Sequence, residues 1–500
     1  MEILKRLSAW KECDNLAMKN GDDSITYREL WRKSDELAMY LKEACGEDKT
    51  PVIVYGHKNP LMLVAFLACV KSGRAYVPID ISVPRNRVEA IVDSVNPKRI
   101  IVTEDFEEYQ SYQCLDIRTA EYSSEAVNSI AEEDYVKGDD IYYIIFTSGS
   151  TGTPKGVQIT YNALNYFTEW ALTLGTVEKE QKCYINQAPF SFDLSVMDLY
   201  MSLASGSCLF ALEKEIQKEY KTLFAALKES DANIWVSTPS FADLCLADES
   251  FNQTLLPNMR LFLFCGETLT NKTAHNLLER FPNAQVYNTY GPTESTVAIT
   301  EVCVDKKLCE TCNPLPVGKS KPGTWLKIMN GERELPEGEK GEVVIIGNTV
   351  SAGYFNNQEE NEKRFFVYEQ SGENIRAYRT GDKGYIRDGQ LYYCGRIDLQ
   401  IKLHGYRMEI EDVEENLMKV SGVEKAVVIP VYDSGKVKYL KGYCVYDTPV
   451  ENVFKIQKKI KEEMSKFVPD YMIPRKIKFV DAIPMTVNGK ADRKQMQEMG

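Results

Sequence analysis

From Ile141 to Val157 the chain reads I-Y-Y-I-I-F-T-S-G-S-T-G-T-P-K-G-V. A β-branched and aromatic run, Ile141 to Phe146, passes straight into a loop of Ser, Thr and Gly. The run predicts a buried strand. The loop, Thr147 to Gly156, offers hydroxyls and backbone N–H groups that can surround an anion, and Lys155 adds a positive charge. This is the chemistry of a polyphosphate cradle. It is not the Walker A pattern, because no G-K-[ST] follows a glycine at the required spacing. An ordinary Gly/Ser turn after a strand is the alternative reading of the composition; the strand, the hydroxyl-rich loop and the closing Pro154-Lys155-Gly156 together favour the cradle.

Upstream, helical patterns alternate with short apolar strands. Ser24-I-T-Y-R-E-Leu30 reads as a strand entering a helix, Pro51-V-I-V-Tyr55 as a strand, Leu61 to Lys71 as an apolar helix, Gly73-R-A-Y-V-P-I-Asp80 as strand and turn, and Ile100-I-V-Thr103 as a further strand. This alternation predicts a layered α/β architecture with parallel strands. Downstream, Tyr161 to Thr173 reads as a helix, and the segments Ala232 to Pro239 (A-N-I-W-V-S-T-P) and Leu261 to Cys265 (L-F-L-F-C) as strands. From Val317 the texture changes to short strands and glycine turns, which predicts a small β-rich subdomain. Gly395-R-I-D-L-Q-I-K-L-H-G-Y-Arg407 marks a boundary. The expected division is an N-terminal core, residues 1–397, and a small α+β C-terminal domain, residues 398–500. In that domain Glu409 to Lys419 and Val453 to Phe467 read as helices, Val423 to Pro430 and Leu440 to Tyr446 as strands.

The 500 residues carry a formal net charge of −13, which argues against nonspecific binding to nucleic acid or to an anionic membrane. The N-terminal residues lack the continuous apolar core of a signal peptide, and the longest apolar run, Leu61 to Val70, is too short to span a bilayer. The thirteen cysteines are scattered, which fits reduced thiols in a cytoplasmic protein. Cys309 and Cys312 form a C-x-x-C pair with Cys303 nearby, but no fourth ligand stands close, so chance spacing is the better reading.

Three further clusters carry chemistry. In Pro189-F-S-F-D-L-S-V-M-D-L-Tyr200, Asp193 sits among aromatic and apolar neighbours, where a carboxylate either meets a cation or caps the helix that follows. In Val286-Y-N-T-Y-G-P-T-E-S-T-V-A-I-Thr300, Tyr290 offers a ring to stack on, Thr293 a hydroxyl and Glu294 a carboxylate for Mg²⁺; a loop with a helix N-cap at Thr293 is the alternative. Tyr378-R-T-G-Asp382 ends in a carboxylate suited to the two hydroxyls of a ribose. Near the C-terminus, Pro484-M-T-V-N-G-K-A-D-Arg493 places Lys490 in a turn, either solvated or brought to an active site by domain closure.

In this order the motifs resemble the adenylate-forming superfamily, which contains amino-acid adenylation domains, acyl-CoA synthetases and luciferases. The resemblance covers nearly the whole chain and includes Lys71 to Asp80, the loop from Thr147, Phe192-Asp193, Asn288-T-Y-G-P-T-Glu294, Gly341-Glu342, Tyr378 to Asp382, Gly395-R-I-Asp398 and Asn488-G-K-A-D-Arg493. Several motifs in the right order are far more specific than any one. Four segments, F-S-F-D-L-S-V-M-D-L-Y, F-C-G-E-T-L, N-T-Y-G-P-T-E-S-T-V-A and Q-I-K-L-H-G-Y-R-M-E, resemble the ligases that load D-alanine onto a carrier protein for lipoteichoic acid modification.

The resemblance implies the following roles. Thr147, Ser148, Gly149, Ser150, Thr151 and Lys155 would hold the phosphates of ATP. Tyr290 would stack on adenine with Asn288 at its edge, and Thr289, Gly291, Pro292, Tyr393, Cys394 and Gly395 would complete the nucleotide site. Thr293 would contact the α-phosphate and Glu294 would hold Mg²⁺. Asp382 and Arg396 would bind ribose. Asp193 would bind the substrate ammonium in a pocket walled by Leu194, Met197, Leu263, Cys265, Thr289, Val297 and Ala298. Lys490 would reach the carboxylate and the α-phosphate, and Asp398 would be the hinge. His404 is expected to be structural. The implied reaction forms an aminoacyl adenylate from D-alanine and ATP, then passes the acyl group to the phosphopantetheine thiol of a carrier. The chain ends soon after Arg493, so the expected carrier is a separate protein acting in trans. A free-standing peptide-synthetase-type enzyme for another small amino acid, an acyl-CoA synthetase, and a non-catalytic nucleotide-binding relative are the alternatives. Asp193 speaks against the acyl-CoA reading, and the intact Lys490, Glu294 and Asp382 speak against the non-catalytic one.

Overall fold

The computed structural model describes residues 2–106, 112–120, 130–149, 154–176, 182–370, 372–433, 436–485 and 491–498. The chain divides into two compact units. The first comprises Met1–Ile81, Val95–Ile145 and Gly156–Ile397; the second comprises Ser82–Ser94, Phe146–Lys155 and Asp398–Gly500.

The first unit is built on two largely parallel sheets and a third, antiparallel one. The seven-stranded sheet runs in the order Gly353–Tyr354, Lys155–Thr160, Ile141–Thr147, Tyr76–Ile79, Val52–Tyr55, Ile100–Val102, Cys114–Asp116. The nine-stranded sheet runs Lys319–Ser320, Thr300–Val304, Gln285–Tyr290, Leu261–Phe264, Ile234–Ser237, Cys183–Asn186, Cys208–Ala211, Leu16–Asn20, Asp23–Thr26. Its six central strands, from Gln285–Tyr290 to Leu16–Asn20, are mutually parallel, and the outer ones antiparallel. Central strands such as Leu261–Phe264 and Ile234–Ser237 are buried at every residue, as expected of parallel strands covered on both faces. The β-rich texture after Val317 becomes a six-stranded antiparallel sheet that includes Thr324–Asn330, Gly341–Gly347, Glu373–Arg387 and Gln390–Arg396.

Local sequence signals place the helices. Tyr27–Cys45 opens with a capping box, in which Thr26 and Glu29 satisfy each other's backbone N–H groups. Pro60–Lys71 opens with Asn59 as cap and Pro60 in the first turn. Lys71, at its buried end, pairs with Asp35 at 2.8 Å and lies 3.5 Å from the centre of the Trp31 ring. Lys58 ties the two parallel sheets together: its ammonium donates to the carbonyls of Gln187 at 2.6 Å and Leu212 at 2.8 Å, just beyond strand ends.

In the second unit, the strands Val423–Asp433, Lys436–Tyr446 and Lys476–Phe479 form one sheet. The helices Ile410–Met418 and Val453–Met464 cover one of its faces through Val413, Leu417, Ile460 and Met464, which meet Val428, Leu440 and Cys444 in one core. A hairpin, Gln400–Leu403 with Tyr406–Glu409, precedes them. Its two-residue turn has φ of 53° at His404 and 85° at Gly405, so His404 serves a tight hairpin turn and its structural reading has a backbone cause. Arg87 forms a buried ion pair with Asp412. Among the described residues, no helix is long and apolar enough to cross a membrane.

Candidate active site

Parallel sheets commonly present ligands at the C-terminal ends of their strands. In the first unit, Leu261–Phe264 delivers Cys265 there and Gln285–Tyr290 delivers Gly291 and the residues after it. Thr289 donates its hydroxyl to the Phe264 carbonyl at 2.8 Å, and Asn288 donates its amide to the Pro316 carbonyl at 2.8 Å. The first bond fixes the two strand ends relative to each other, and the second ties the Asn288 side chain to the segment at Pro316.

Tyr290 is buried, and its hydroxyl donates to Asp382 Oδ2 at 2.5 Å. Burial, reinforced by the adjacent carboxylate, pushes the Tyr290 phenol well above its ordinary pKa. Arg396 Nη1 donates to Asp382 Oδ1 and to the Thr380 carbonyl, both at 2.9 Å. The Tyr290 and Tyr393 rings lie 6.0 Å apart, tilted by 38°. Tyr290, Asp382, Tyr393 and Arg396 therefore form one corner. Cys394 is exposed, and Gly395 has φ of 101°, a backbone region that favours glycine.

After Tyr290 the backbone is tightly wound. Thr293–Ser295 is a short 3₁₀ turn preceded by Pro292, so the alternative reading of Thr293 as a helix cap is not met: Thr293 is the first residue inside the turn. Thr296 and Val297 follow with φ of 63° and 64°. Such values are genuine outliers for a β-branched residue and recur at ligand sites. The Ala298 N–H donates to the Thr296 carbonyl at 2.8 Å, closing a three-residue turn around Val297. This turn packs on Gly291, where an added Cβ would stand 2.6 Å from Ala298 Cα and 2.7 Å from the Val297 carbonyl oxygen. Only glycine fits there. The Cys265 thiol donates to the same Val297 carbonyl at 3.6 Å.

Glu294 is fully buried. Its Oε1 accepts from the Tyr354 hydroxyl at 2.7 Å, and its backbone carbonyl accepts from the Ser351 N–H at 2.8 Å. Tyr354, held edge-on against Phe365 at 5.4 Å, is a residue that sequence reasoning missed. The only local signal was Ser351-Ala-Gly-Tyr354, and the partner stands 60 positions away.

Asp193 precedes the helix Leu194–Ala204, but its backbone is already helical and its side chain makes no capping hydrogen bond. The capping alternative is thereby corrected: a residue at φ −61°, ψ −26° cannot turn its carboxylate back onto the first free N–H groups. Asp193 is half-buried, and its charge reaches the buried Tyr143 phenol. Leu194, Met197, Leu263, Cys265, Tyr290, Val297 and Ala298 belong to a single hydrophobic cluster.

The glycine-rich loop is differently placed. Thr147 ends its strand, and Lys155 begins the next, Lys155–Thr160, whose Val157 and Gln158 pair with Tyr354 and Gly353. The loop expected to run to Gly156 therefore ends a residue before Lys155, because ladder hydrogen bonds claim the backbone from there. Thr147, Ser148, Gly149 and Lys155 group with the second unit, where the Ser148 hydroxyl donates to the Arg407 carbonyl at 3.1 Å. Asp398 is the first residue of that unit's final segment, and its Oδ1 accepts from the Gln400 N–H at 3.3 Å. Ser150, Thr151 and Lys490 lie outside the described residues.

Residues 6–355 match the AMP-binding enzyme family, and residues 412–490 match the AMP-binding enzyme C-terminal domain. The chain belongs to the AMP-binding enzyme family. It is an ATP-dependent, AMP-forming ligase. It is 45% identical over 514 residues to a D-alanine–D-alanyl carrier protein ligase of Bacillus cereus (strain G9842), with 99% of each chain covered. Among solved structures it resembles a peptide-synthetase protein containing adenylation and PCP domains, with a TM-score of 0.84, 24% identity, and coverage of 100% of this chain and 84% of that one. It also resembles the o-succinylbenzoate CoA synthetase of Bacillus subtilis, with a TM-score of 0.84, 21% identity, and coverage of 99% and 98%. At these identities the two structures establish the fold of the family, a large N-terminal and a smaller C-terminal domain.

No disulfide joins any of the thirteen cysteines, and among the described residues no group of three or more His, Cys, Asp and Glu is placed to hold a metal. Cys309 and Cys312 instead offer their carbonyls to the Asn271 amide at 2.7 and 2.5 Å.

Proposed function

We propose that this chain activates D-alanine with ATP and transfers it to the phosphopantetheine thiol of a separate carrier protein, the loading step for D-alanylation of lipoteichoic acid. The observation that carries this reading is the 45% identity, over 99% of both chains, to the Bacillus cereus ligase. Met197, Cys265, Val297 and Ala298 all belong to one buried hydrophobic cluster, which fits an uncharged substrate side chain.

In the first half-reaction a carboxylate oxygen of D-alanine attacks the α-phosphorus. The bond to the bridging oxygen breaks, and pyrophosphate leaves with the electron pair. In the second, the thiol sulfur attacks the adenylate carbonyl, its proton is lost, and AMP leaves. No general base is needed for the first step, since a carboxylate is already a nucleophile. The difficulty is the approach of two anions. In this reading Asp193 holds the ammonium and so orients the carboxylate, while Thr293 and Lys490 contact the oxygens that gain charge. Thr147, Ser148, Gly149, Ser150, Thr151 and Lys155 hold the departing phosphates. Tyr290, with Asn288 to Pro292 and Tyr393 to Gly395, receives the adenosine, and Asp382 with Arg396 takes the ribose hydroxyls. The buried carboxylate of Glu294 fits Mg²⁺, which keeps waters and binds largely through substrate phosphates. When bound it would supply charge neutralisation. A cytoplasmic location fits the need for ATP and thirteen cysteines outside any disulfide.

ATP–pyrophosphate exchange across D- and L-amino acids, short fatty acids and aryl acids tests the reading. D-alanine is expected to give the fastest exchange, with glycine, serine and L-alanine trailing, since apolar pockets separate near-isosteres by only ~1–3 kcal/mol. Exchange with none of them would overturn it. For the hinge, Asp398→Pro is expected to retain exchange and lose thioester formation; equal loss of both half-reactions removes Asp398 from that role.

A further inference from the structure

The sheet of the second unit has two unlike faces. One packs against its helices. The other carries Val427, Ile429 and Val431 opposite Tyr443, Lys441 and Tyr439 in antiparallel register. The helix Arg493–Glu498 covers one end of this face, where Met496 meets Val427, Ile429 and Tyr443, and the Tyr443 hydroxyl donates to the Met496 carbonyl at 2.7 Å. The rest opens into a groove of about 640 Å³.

Charge distinguishes this groove. Lys441, Arg475, Lys476 and Lys478 line it, and among the described residues no Asp or Glu does. Lys441 and Lys476 are direct neighbours in the parallel register of adjacent strands, as are Tyr443 and Lys478. Like charges directly opposite each other destabilise a sheet, and a chain of net charge −13 has carboxylates to spare for such a place. Two tyrosines act as platforms: Lys441 Nζ lies 4.8 Å from the Tyr443 ring centre, Lys476 Nζ 5.4 Å and the Arg475 guanidinium 5.8 Å from that of Tyr439. These three cations are thus held in place by ring faces, with apolar floor between them.

We propose that this groove docks an acidic, carboxylate-bearing face of the carrier protein. The proposal rests on the reading that the chain loads a carrier in trans. A groove of this size accepts several side chains. The partner's carboxylates supply counter-charge to Lys441, Arg475 and Lys476, and on a chain of overall negative charge a basic groove attracts an acidic partner.

The test uses the full-length enzyme with phosphopantetheinylated carrier and the double variant Lys441→Glu/Lys476→Glu. Pyrophosphate exchange and transfer of D-alanine to free pantetheine are expected to stay within about twofold of wild type. The KM for carrier is expected to rise by about tenfold at low salt, with little change in kcat, and the difference is expected to shrink as salt screens the charges. A carrier whose acidic residues are changed to lysine is expected to restore the double variant. An unchanged KM for carrier overturns the proposal. So does equal slowing of transfer to free pantetheine, which would mark a general defect. If the wild type binds anionic phosphatidylglycerol vesicles, the double variant does not, and carrier loading is untouched, the groove serves a membrane and the proposal falls. A wild type that shows no D-alanine-dependent exchange overturns the function on which the proposal rests; a wild type that exchanges but whose double variant loads carrier normally overturns the docking alone.

Discussion

The corner at Tyr290 and the groove at Tyr439 both combine aromatic rings with charges, yet they treat charge in opposite ways. At the corner every named charge has a partner within the chain: Asp382 takes Tyr290 and Arg396, and Glu294 takes Tyr354. In the groove Lys441 stands beside Lys476, and among the described residues no carboxylate lines it. A site that must hold small groups in fixed geometry does best when its own polar atoms lock one another. A surface that recognises a macromolecule can leave its charges for the partner to complete.

The largest break in the paired region is expected from Asp193→Ala. Without a carboxylate for the ammonium, D-alanine-dependent exchange should fall by about hundredfold or more, by analogy with removing one member of a desolvated charge pair. Exchange within a few fold of wild type would remove Asp193 from substrate binding. A smaller break is Tyr354→Phe, which deletes the hydrogen bond to Glu294 together with a longer, 3.4 Å contact to the Tyr378 hydroxyl. Hydrogen bonds to charged groups contribute about 1.5–3 kcal/mol, so kcat/KM for ATP should drop about tenfold or more and the Mg²⁺ requirement should rise. An unaltered Mg²⁺ titration would show that Tyr354 does not position Glu294.

The smallest effect sharpens the comparison from the side of stability. Lys321 is buried, and its ammonium donates to Asn348 Oδ1 at 3.0 Å, a neutral partner. Burial lowers its pKa from 10.5 to about 8. Below about 8 the lysine is charged in both folded and unfolded chains, and the fold bears the full cost of burying it. Between about 8 and 10.5 the unfolded chain binds more protons, so stability rises with pH. Chemical denaturation of Lys321→Met across this window should show a flatter pH dependence than the parent; identical slopes would assign the effect elsewhere.

How much of this was legible follows from distance along the chain. The strand Ile141–Thr147, the helix Pro60–Lys71 and the change to antiparallel sheet after Val317 are encoded in runs of neighbouring residues, and their reading needs no partner. The motif residues of the corner were likewise visible one by one. Their bonds were not: Tyr290 meets Asp382 across 92 positions, and Tyr354 meets Glu294 across 60. The end of the glycine-rich loop was misjudged because Gly353 and Tyr354, far downstream, claim the backbone beyond Lys155. Asp193 read equally as a partner for a cation or as a helix cap, because the residue type suits both; its backbone angles decided against the cap. The groove was invisible for a similar reason, since Lys441 and Lys476 become neighbours only through strand register.

The left-handed turn at Thr296 and Val297 has a consequence for how the pocket could drift under selection. Strained conformations of this kind cost about 1–3 kcal/mol per residue. Glycine or asparagine would adopt the same angles at lower cost. A library screened for thermal tolerance alone would therefore enrich those residues at the two positions and erode the wall beside Cys265. A library screened for amino-acid preference would hold the β-branched pair in place. The turn is a point where selection for robustness and selection for substrate pull the same two codons in opposite directions.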